Sequence, residues 1–293
     1  MSGPRWVWAL VGGGLLAFGF SPIFVRLAGD VPALALATWR TTVTALVLAP
    51  VALLGPARRE VLGLGWRDLG LVLGAGVFLG LHFMAWIGSV QLTSVASASV
   101  LVTLSPLMIA ALGAVFLSER PTRRVVLAMA VAVVGATLIG IGEGGGGAYP
   151  NPALGNAVAL FAAFLVAVYL LIGRSLRQRA SFVAYFAPLN AAAAATCAVG
   201  CVLLGVPLQL PAEAVPWALA LGLAPGLIGH GSLSYAVRFV PAATLGLAVL
   251  LEPVLATGLA LVLFGEAPSL VTIFGMAVVL ASLAALAVRR RSG

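Results

Sequence analysis

Long uninterrupted runs of apolar residues dominate this chain, and its polar residues are gathered into the short gaps between them. A helix needs about 20 predominantly apolar residues to cross the hydrocarbon core of a bilayer. Ten runs suited to this task lie at 6–25, 33–54, 69–88, 95–117, 124–142, 153–173, 182–204, 215–236, 241–264 and 270–288. Because the runs are continuous, they lack the alternation of strands in a closed barrel. The pattern predicts an all-α membrane protein with ten transmembrane helices.

The overall composition leads to the same class. The chain is 62% hydrophobic and 8% charged, whereas soluble domains have roughly 45–50% apolar and about 25% charged residues. A basic excess of 16 Lys+Arg over 8 Asp+Glu would ordinarily suggest a nucleic-acid partner. Here the basic residues lie in the gaps between apolar runs, which is the pattern that orients helices in a membrane. The expected partner is therefore a lipid bilayer and not a nucleic acid.

The arginines sort by side when the N-terminus is placed in the cytoplasm. Fourteen of the 16 then fall on the cytoplasmic side: Arg5, Arg58, Arg59, Arg67, Arg120, Arg123, Arg124, Arg174, Arg177, Arg179, Arg238, Arg289, Arg290 and Arg291. Only Arg26 falls outside, and Arg40 lies within a span. The positive-inside rule therefore predicts a multi-pass protein of the inner (cytoplasmic) membrane with both termini cytoplasmic.

The chain also repeats itself. Pro106 lies in the middle of the fourth run and is followed 13 residues later by Glu119, while Pro253 in the ninth run is followed 13 residues later by Glu266. A glycine-rich linker at 143–150 separates the copies. The expected units are a first repeat at 1–142 and a second at 151–293, with five helices each. The first run belongs to this repeat, so we interpret it as a retained helix and not as a signal peptide.

An odd number of helices per repeat has a topological consequence. The second repeat must enter the membrane in the opposite orientation to the first. Inverted repeats of this kind are common in secondary transporters, where the binding site lies near the midplane between the halves. The pattern favours alternating access by a transporter, although duplication without any transport role would leave the same trace.

Four ionisable residues lie inside the predicted spans: Arg40, His82, His230 and Glu252. Such groups cost about 2.5–3.5 kcal/mol each on insertion scales, so they are functional candidates. Glu252 is a candidate to carry a proton or to bind a substrate ammonium, or else to serve as a structural carboxyl paired with Arg40. Arg40 either binds a substrate carboxylate, acts as a counter-ion or extends toward the interface. The histidines occupy matching places in the repeats, which suits two ends of one pathway or two neutral, hydrogen-bonded side chains.

Two prolines predict interrupted helices. Pro106 and Pro253 lack a backbone N–H and clash with the carbonyl four residues earlier, and broken helices at membrane depth are tolerated where they line a cavity. Simple packing kinks would explain them equally well. Five aromatic residues are candidates to line such a cavity, with ordinary packing as the alternative: Trp39, Trp86, Tyr169, Tyr185 and Tyr235.

Signatures of catalysis and of metal binding are absent from the sequence. No glycine-rich loop ending in lysine is present to hold a nucleotide phosphate, and no pair of intramembrane carboxylates is present for acid–base chemistry. Cys197 and Cys201 are expected to be buried apolar residues, because a metal site needs more ligands. We therefore expect no enzyme, no metal and no cofactor.

Several motifs together resemble the EamA family of the drug/metabolite transporter superfamily: 82–86 (HFMAW), 93–98 (TSVASA), 104–107 (LSPL) and 117–120 (LSER), with the echoes 251–254 (LEPV) and 264–266 (FGE). The resemblance covers essentially the whole chain in two copies. It implies a central cavity lined by helices 1–4 and 6–9, with helices 5 and 10 outside, and export of amino acids or related metabolites. Ser105 occupies the position that pairs with Glu252, which counts against a mechanism with two symmetric carboxylates.

These arguments combine into one expectation. The chain is predicted to be a secondary transporter or facilitator that exports a small amphipathic metabolite such as an amino acid, with proton coupling through Glu252 as a hypothesis. The predicted substrate-binding residues are Trp39, Arg40, His82, Trp86, Ser105, His230, Tyr235 and Glu252. The alternatives are a membrane-embedded enzyme acting on lipid intermediates and an exporter of drug-like or lipid-like solutes. Helices 5 and 10 are candidates for a homodimer contact.

Overall fold

The computed structural model describes residues 5–116, 122–143, 149–173, 176, 180–236, 239, 245 and 248–287. All regular structure within these ranges is helical, without a strand. The first repeat contains α1 (Arg5–Gly19), α2 (Ser21–Leu27), α3 (Ala33–Leu54), α4 (Arg58–Leu62), α5 (Trp66–Leu92), α6 (Val95–Val102), α7 (Ser105–Phe116) and α8 (Arg123–Glu143). The second contains α9 (Pro152–Ile172), α10 (Phe182–Leu203), α11 (Val215–Leu221), a π-helix (Gly222–Gly229), α12 (His230–Ala236), α13 (Glu252–Phe264) and α14 (Leu270–Ala287).

Seven helices of the described residues are long and apolar enough to cross a membrane: Arg5–Leu27, Ala33–Leu54, Trp66–Leu92, Val95–Phe116, Arg123–Gly142, Pro152–Ile172 and Phe182–Leu203. Two further apolar helices, Glu252–Phe264 and Leu270–Ala285, are shorter. The predicted run at 215–236 is helical but includes the π-helix. The all-helical membrane architecture is confirmed, while the count of ten spans stays a prediction. The start of the predicted ninth span lies outside the described residues.

Prolines mark the points at which spans are interrupted. A turn at Thr103 and Leu104 separates α6 from α7, and Pro106 occupies the first turn of α7. Pro253 similarly occupies the first turn of α13. A third break separates α1 from α2, where Pro22 follows Ser21. Since proline removes one intrahelical hydrogen bond and is tolerated in a first turn, each helix restarts where its proline stands.

The π-helix lies against α3. A Cβ atom added to Gly222 would lie 2.6 Å from the Cβ atom of Val43, so only glycine permits this approach. The hydroxyl of Thr44 donates a hydrogen bond of 2.9 Å to the carbonyl of Gly222. Proline inside this segment, at Pro225, disturbs regular α-helical bonding and accounts for the wider turn. The π-helix thereby approaches the turn of α3 that begins at Arg40.

Helices of the two repeats pack against each other. The helix α5 packs on α9 and α10, and α1 packs on the π-helix, α12 and α13. Contacts between α3 and α10, and between α8 and α14, join helices at equivalent places of the two repeats. The helices α8 and α14 pack chiefly against each other, as expected for helices outside a central cavity. Packing therefore places α1–α3, α5–α7, α9, α10, α12 and α13 around the middle of the molecule.

Glycine allows close packing between α5 and α10, which leads to a stability prediction. A Cβ atom on Gly76 would lie 2.5 Å from Ala192 Cβ and 2.6 Å from the carbonyl oxygen of Leu189, whereas one on Gly74 would meet nothing within 4 Å. We expect Gly76→Ala to destabilise the protein by about 1–3 kcal/mol, because backbone atoms must move apart. The matched variant Gly74→Ala should keep or raise stability. Thermal unfolding in detergent checks this, and equal melting temperatures would contradict the predicted contact.

Candidate functional site

A cavity of about 770 Å³ lies among the helices that surround the middle of the molecule. Both repeats contribute to its wall, with Ser21, Arg40 and Phe83 from the first and Tyr169 and Glu252 from the second. The lining extends from Arg40 and Trp86 to Ala180 and Ser181 at the start of α10. Six of the eight predicted substrate-binding residues line this one cavity: Arg40, His82, Trp86, Ser105, His230 and Glu252.

Arg40 is the arginine among the described residues of the cavity wall. Its side chain is only 4% exposed, and its guanidinium carbon lies 4.0 Å from the ring centre of Phe83 and 5.6 Å from that of Trp86. Nη1 donates a hydrogen bond of 3.1 Å to the hydroxyl of Ser21, whereas Nε has no hydrogen-bond partner. Aromatic faces attract a guanidinium but leave its N–H groups free. The guanidinium of Arg40 therefore keeps N–H groups that protein acceptors do not fully satisfy.

Glu252 lines the same cavity on α13 and is partly buried. It does not form a direct ion pair with Arg40; the ion pair found within the described residues joins other groups. The two groups interact electrostatically without contact, so the sequence alternative of Arg40 as a counter-ion to Glu252 stays a prediction. One cationic and one acidic group instead face a shared space without neutralising each other by contact.

The two histidines also face this cavity. His82 is buried, and its Nδ1 lies 2.9 Å from the carbonyl oxygen of Ala162, so Nδ1–H donates the hydrogen bond. His230 lies between two rings, 5.0 Å from the centre of Phe18 and 5.2 Å from that of Phe186. Both histidines thus line the same cavity, His82 held by a hydrogen bond and His230 by aromatic packing, and their place at two ends of one pathway stays a prediction.

Aromatic side chains form much of the remaining wall. Among the sequence candidates, Trp86, Tyr169 and Tyr185 line the cavity and are buried. Four phenylalanines that sequence reasoning did not select also line it: Phe18, Phe83, Phe182 and Phe186. Phenylalanine occurs in seven of the ten apolar runs, so no local signal distinguishes a phenylalanine in a cavity from one facing lipid.

Trp39 and Tyr235 lie away from this cavity. Trp39 is 36% exposed, and its indole N–H donates a hydrogen bond of 2.8 Å to the carbonyl of Leu208. Tyr235 is 44% exposed and packs against the rings of Trp6 and Phe239. Trp39 adjoins Arg40 in sequence, but consecutive residues on a helix point about 100° apart. Trp39 is therefore not part of the cavity wall, although the adjacent residue Arg40 is.

The two prolines at the predicted helix breaks do not line the cavity, but the polar residue before each of them does. Pro106 is exposed and Pro253 is buried, and neither belongs to the cavity wall. Their preceding residues, Ser105 and Glu252, do belong to it. Each proline therefore starts a helix whose first residue faces the cavity.

A second cavity, of about 970 Å³, lies near the ends of α2 and α13. Its wall includes the α2–α3 turn, residues 149–150 and residues 264–267. Arg26 Nε and Glu266 Oε1 form an ion pair of 2.8 Å in this wall. Sequence reasoning noted Arg26 only as an exception to the arginine pattern and Glu266 only as part of the repeat. The available signal was that the exceptional arginine and the repeated glutamate fall on the same predicted side.

No group of histidine, cysteine or acidic side chains suited to a metal ion occurs in the described part of the chain. Cys197 and Cys201 are free and buried. Cys197 lies 3.5 Å from the carbonyl of Gly80, and Cys201 lies 3.5 Å from the hydroxyl of Thr38. Both thiols therefore participate in helix packing.

Comparisons with known proteins agree with this architecture. A family model described as the EamA-like transporter family matches residues 5–141 and 153–288. A solved structure titled "Crystal structure of protein" is similar, with a TM-score of 0.64 and 23% sequence identity over 96% of this chain and 96% of that chain. At this identity the likeness shows the fold alone. No curated protein matches this chain.

Proposed function

We propose, because this chain belongs to the EamA-like transporter family, that it is a secondary transporter or facilitator that exports a small amphipathic metabolite such as an amino acid. The observation that supports this proposal is the pairing of Arg40 and Glu252 in one cavity without direct contact between them. A zwitterion presents a carboxylate and an ammonium together. Arg40 would bind the carboxylate and Glu252 the ammonium.

The rest of the wall favours a solute with an apolar part. Ligand pockets of about 300–1,000 Å³ are usually lined by apolar and aromatic side chains with a few placed polar groups. The cavity of about 770 Å³ has that composition, with Phe18, Trp86, Tyr169 and Tyr185 in the same wall as Arg40 and Glu252. A drug-like or lipid-like solute is the second candidate, since the aromatic wall alone would accept it.

The hypothesis that the protein is an enzyme has less support. Acid–base catalysis usually needs two titratable groups within reach of a substrate bond. Among the described residues of the cavity wall, Glu252 is the single acidic side chain. His82 already donates Nδ1–H to a carbonyl, and His230 is enclosed by two phenylalanine rings. These arrangements suit binding and positioning better than proton transfer to a substrate.

Alternating access follows from the repeat. Helices at equivalent places of the two repeats pack on each other, α3 on α10 and α8 on α14. The cavity lies between the repeats, so tilting one repeat against the other would open it first to one side and then to the other. The odd number of predicted spans in each repeat supplies the inverted orientation on which this motion depends.

Uptake into proteoliposomes tests the proposal. The purified protein is reconstituted and offered a panel of labelled amino acids, with and without an imposed pH gradient, beside protein-free liposomes. Saturable uptake of one class above the protein-free control is expected. If no amino acid enters, the amino-acid proposal is wrong. Transport of drug-like or lipid-like solutes is then measured in the same vesicles to test the second candidate.

A further inference from the structure

We infer that Arg26 and Glu266 form the gate that closes the outer end of the transport pathway, and that α2 connects this gate to Arg40. The inference rests on the proposed function, because a gate requires a pathway. It assigns roles to Arg26 and Glu266, which lie outside the substrate-binding site, and a further role to Ser21 in the wall of that site. The term outer gate is used below for the Arg26–Glu266 ion pair with its hydrogen bonds.

The outer gate joins the two repeats. The side chains of Arg26 and Glu266 are 19% and 14% exposed, so water screens their 2.8 Å contact only in part. Glu266 Oε2 also accepts a hydrogen bond of 3.1 Å from the backbone N–H of Val95 and one of 3.4 Å from the hydroxyl of Tyr149. Arg26 Nη2 donates a hydrogen bond of 2.8 Å to the carbonyl of Thr93. Opening the pathway at this end would have to separate these groups.

The helix α2 extends from one cavity to the other. Ser21, its first residue, lines the central cavity, while Val25 and Arg26 in its last turn line the second cavity. Ile23 and Val25 are almost completely buried between them. The central cavity extends toward Ala180 and Ser181, which the arginine pattern places on the cytoplasmic side. The outer gate therefore lies at the end opposite to the one toward which the central cavity extends.

A hydrogen bond connects the substrate site to this helix. Arg40 Nη1 donates to Ser21 Oγ at 3.1 Å, and Pro22 interrupts the bonding between α1 and α2 so that α2 can move as a short unit. An anion bound by the other N–H groups of Arg40 would draw the guanidinium toward itself and away from Ser21. Releasing Ser21 frees one end of α2, and Arg26 lies at the other end.

The sequence repeat predicts a matching arginine and glutamate on the cytoplasmic side of the membrane. Glu266 corresponds to Glu119 at an offset of 147 residues, and Arg26 corresponds to Arg174 at an offset of 148. Both counterparts lie outside the described residues. An arginine and a glutamate thus recur with their repeats exchanged, and an inverted repeat places the second pair toward the cytoplasmic side.

Thiol labelling from the outside tests the outer gate without knowledge of the solute. Val102, which lines the central cavity, is replaced by cysteine as a reporter, and a membrane-impermeant thiol reagent is applied to right-side-out vesicles. Glu266→Gln removes the charge of the gate. We expect labelling of the reporter to accelerate about tenfold, which corresponds to about 1.4 kcal/mol. Asp30→Asn is the matched control, because Asp30 lies in the same outer cavity but is exposed and outside the ion pair.

A second pair of variants tests the connection through α2. Ser21→Ala removes the hydrogen bond to Arg40 and should accelerate labelling severalfold. Ser89→Ala is the control, because the equally buried hydroxyl of Ser89 bonds only within its own helix, to the carbonyl of Trp86 at 2.7 Å. It should leave the labelling rate unchanged. Asp30→Cys, labelled from the same side, verifies the orientation of the vesicles.

The outcomes separate the gate from the transport proposal. Equal labelling rates for Glu266→Gln and the parent protein, or equal acceleration by Asp30→Asn, would overturn the role of the ion pair. Equal rates for Ser21→Ala and Ser89→Ala would overturn the connection through α2. Because the reagent reports on access and not on solute flux, these results stand even where every uptake experiment is negative.

Discussion

Arg40→Gln is expected to reduce the apparent affinity for a transported amino acid by roughly 30- to 150-fold. Removing a hydrogen bond to a charged group from a buried site costs about 2–3 kcal/mol. Arg40 supplies the cation that faces the cavity, and its Nε has no partner in the protein. The measurement is the concentration dependence of uptake into proteoliposomes, with thermal unfolding in detergent to verify that the variant is folded.

Two further substitutions sharpen this result. Arg40→Lys keeps the charge, but a single ammonium cannot reproduce the planar stacking on Phe83 together with several N–H groups. We expect it to recover only part of the affinity. Arg59→Gln removes an exposed arginine from α4 and should leave uptake unchanged. An unaltered concentration dependence in a folded Arg40→Gln protein would exclude Arg40 from solute binding.

Glu252→Gln is expected to abolish uptake driven by a proton gradient while leaving exchange of solute across the membrane. A carboxyl that faces the cavity on α13 can gain and lose a proton as the two sides alternate, whereas glutamine keeps its hydrogen-bonding shape but cannot release a proton. Glu252 has no direct ion pair that would fix its charge. Parallel measurements of gradient-driven uptake and of counterflow in preloaded vesicles separate the two activities.

The control for this variant is Glu213→Gln, since Glu213 is exposed and precedes α11. It should behave as the parent protein in both assays. Loss of gradient-driven uptake and of exchange together would show that ammonium binding needs the negative charge of Glu252, and would contradict a separate role in proton coupling. Retention of both would remove Glu252 from the mechanism and leave Arg40 as the charged group that selects the solute.

Much of the fold was predictable because hydrophobicity adds up locally along a chain. A run such as 33–54 is apolar enough to enter lipid whatever its neighbours do, and α3 has those same bounds. The break before Ser105 was also predictable, because proline acts on its own helix. The π-helix at Gly222–Gly229 was not, since its geometry depends on packing against Thr44 and Val43 of another helix.

The candidate site was only partly predictable. Arg40, His82, His230 and Glu252 could be selected because an ionisable group in lipid is costly and must face protein or water. Aromatic residues carry no such penalty on either side. Trp39 and Tyr235 were consequently expected at the cavity that Phe83 and Phe186 instead line.

The sequence by itself determined that the chain is a multi-pass helical membrane protein of two related repeats, because apolar length, arginine placement and proline spacing are properties of the chain alone. Only the tertiary structure decided which polar groups meet: Ser21 with Arg40, and Arg26 with Glu266. In a soluble helix a polar face reveals which side points outward. In a membrane the lipid is as apolar as the protein interior, so the rotation of each helix is set by packing that the hydropathy pattern does not record.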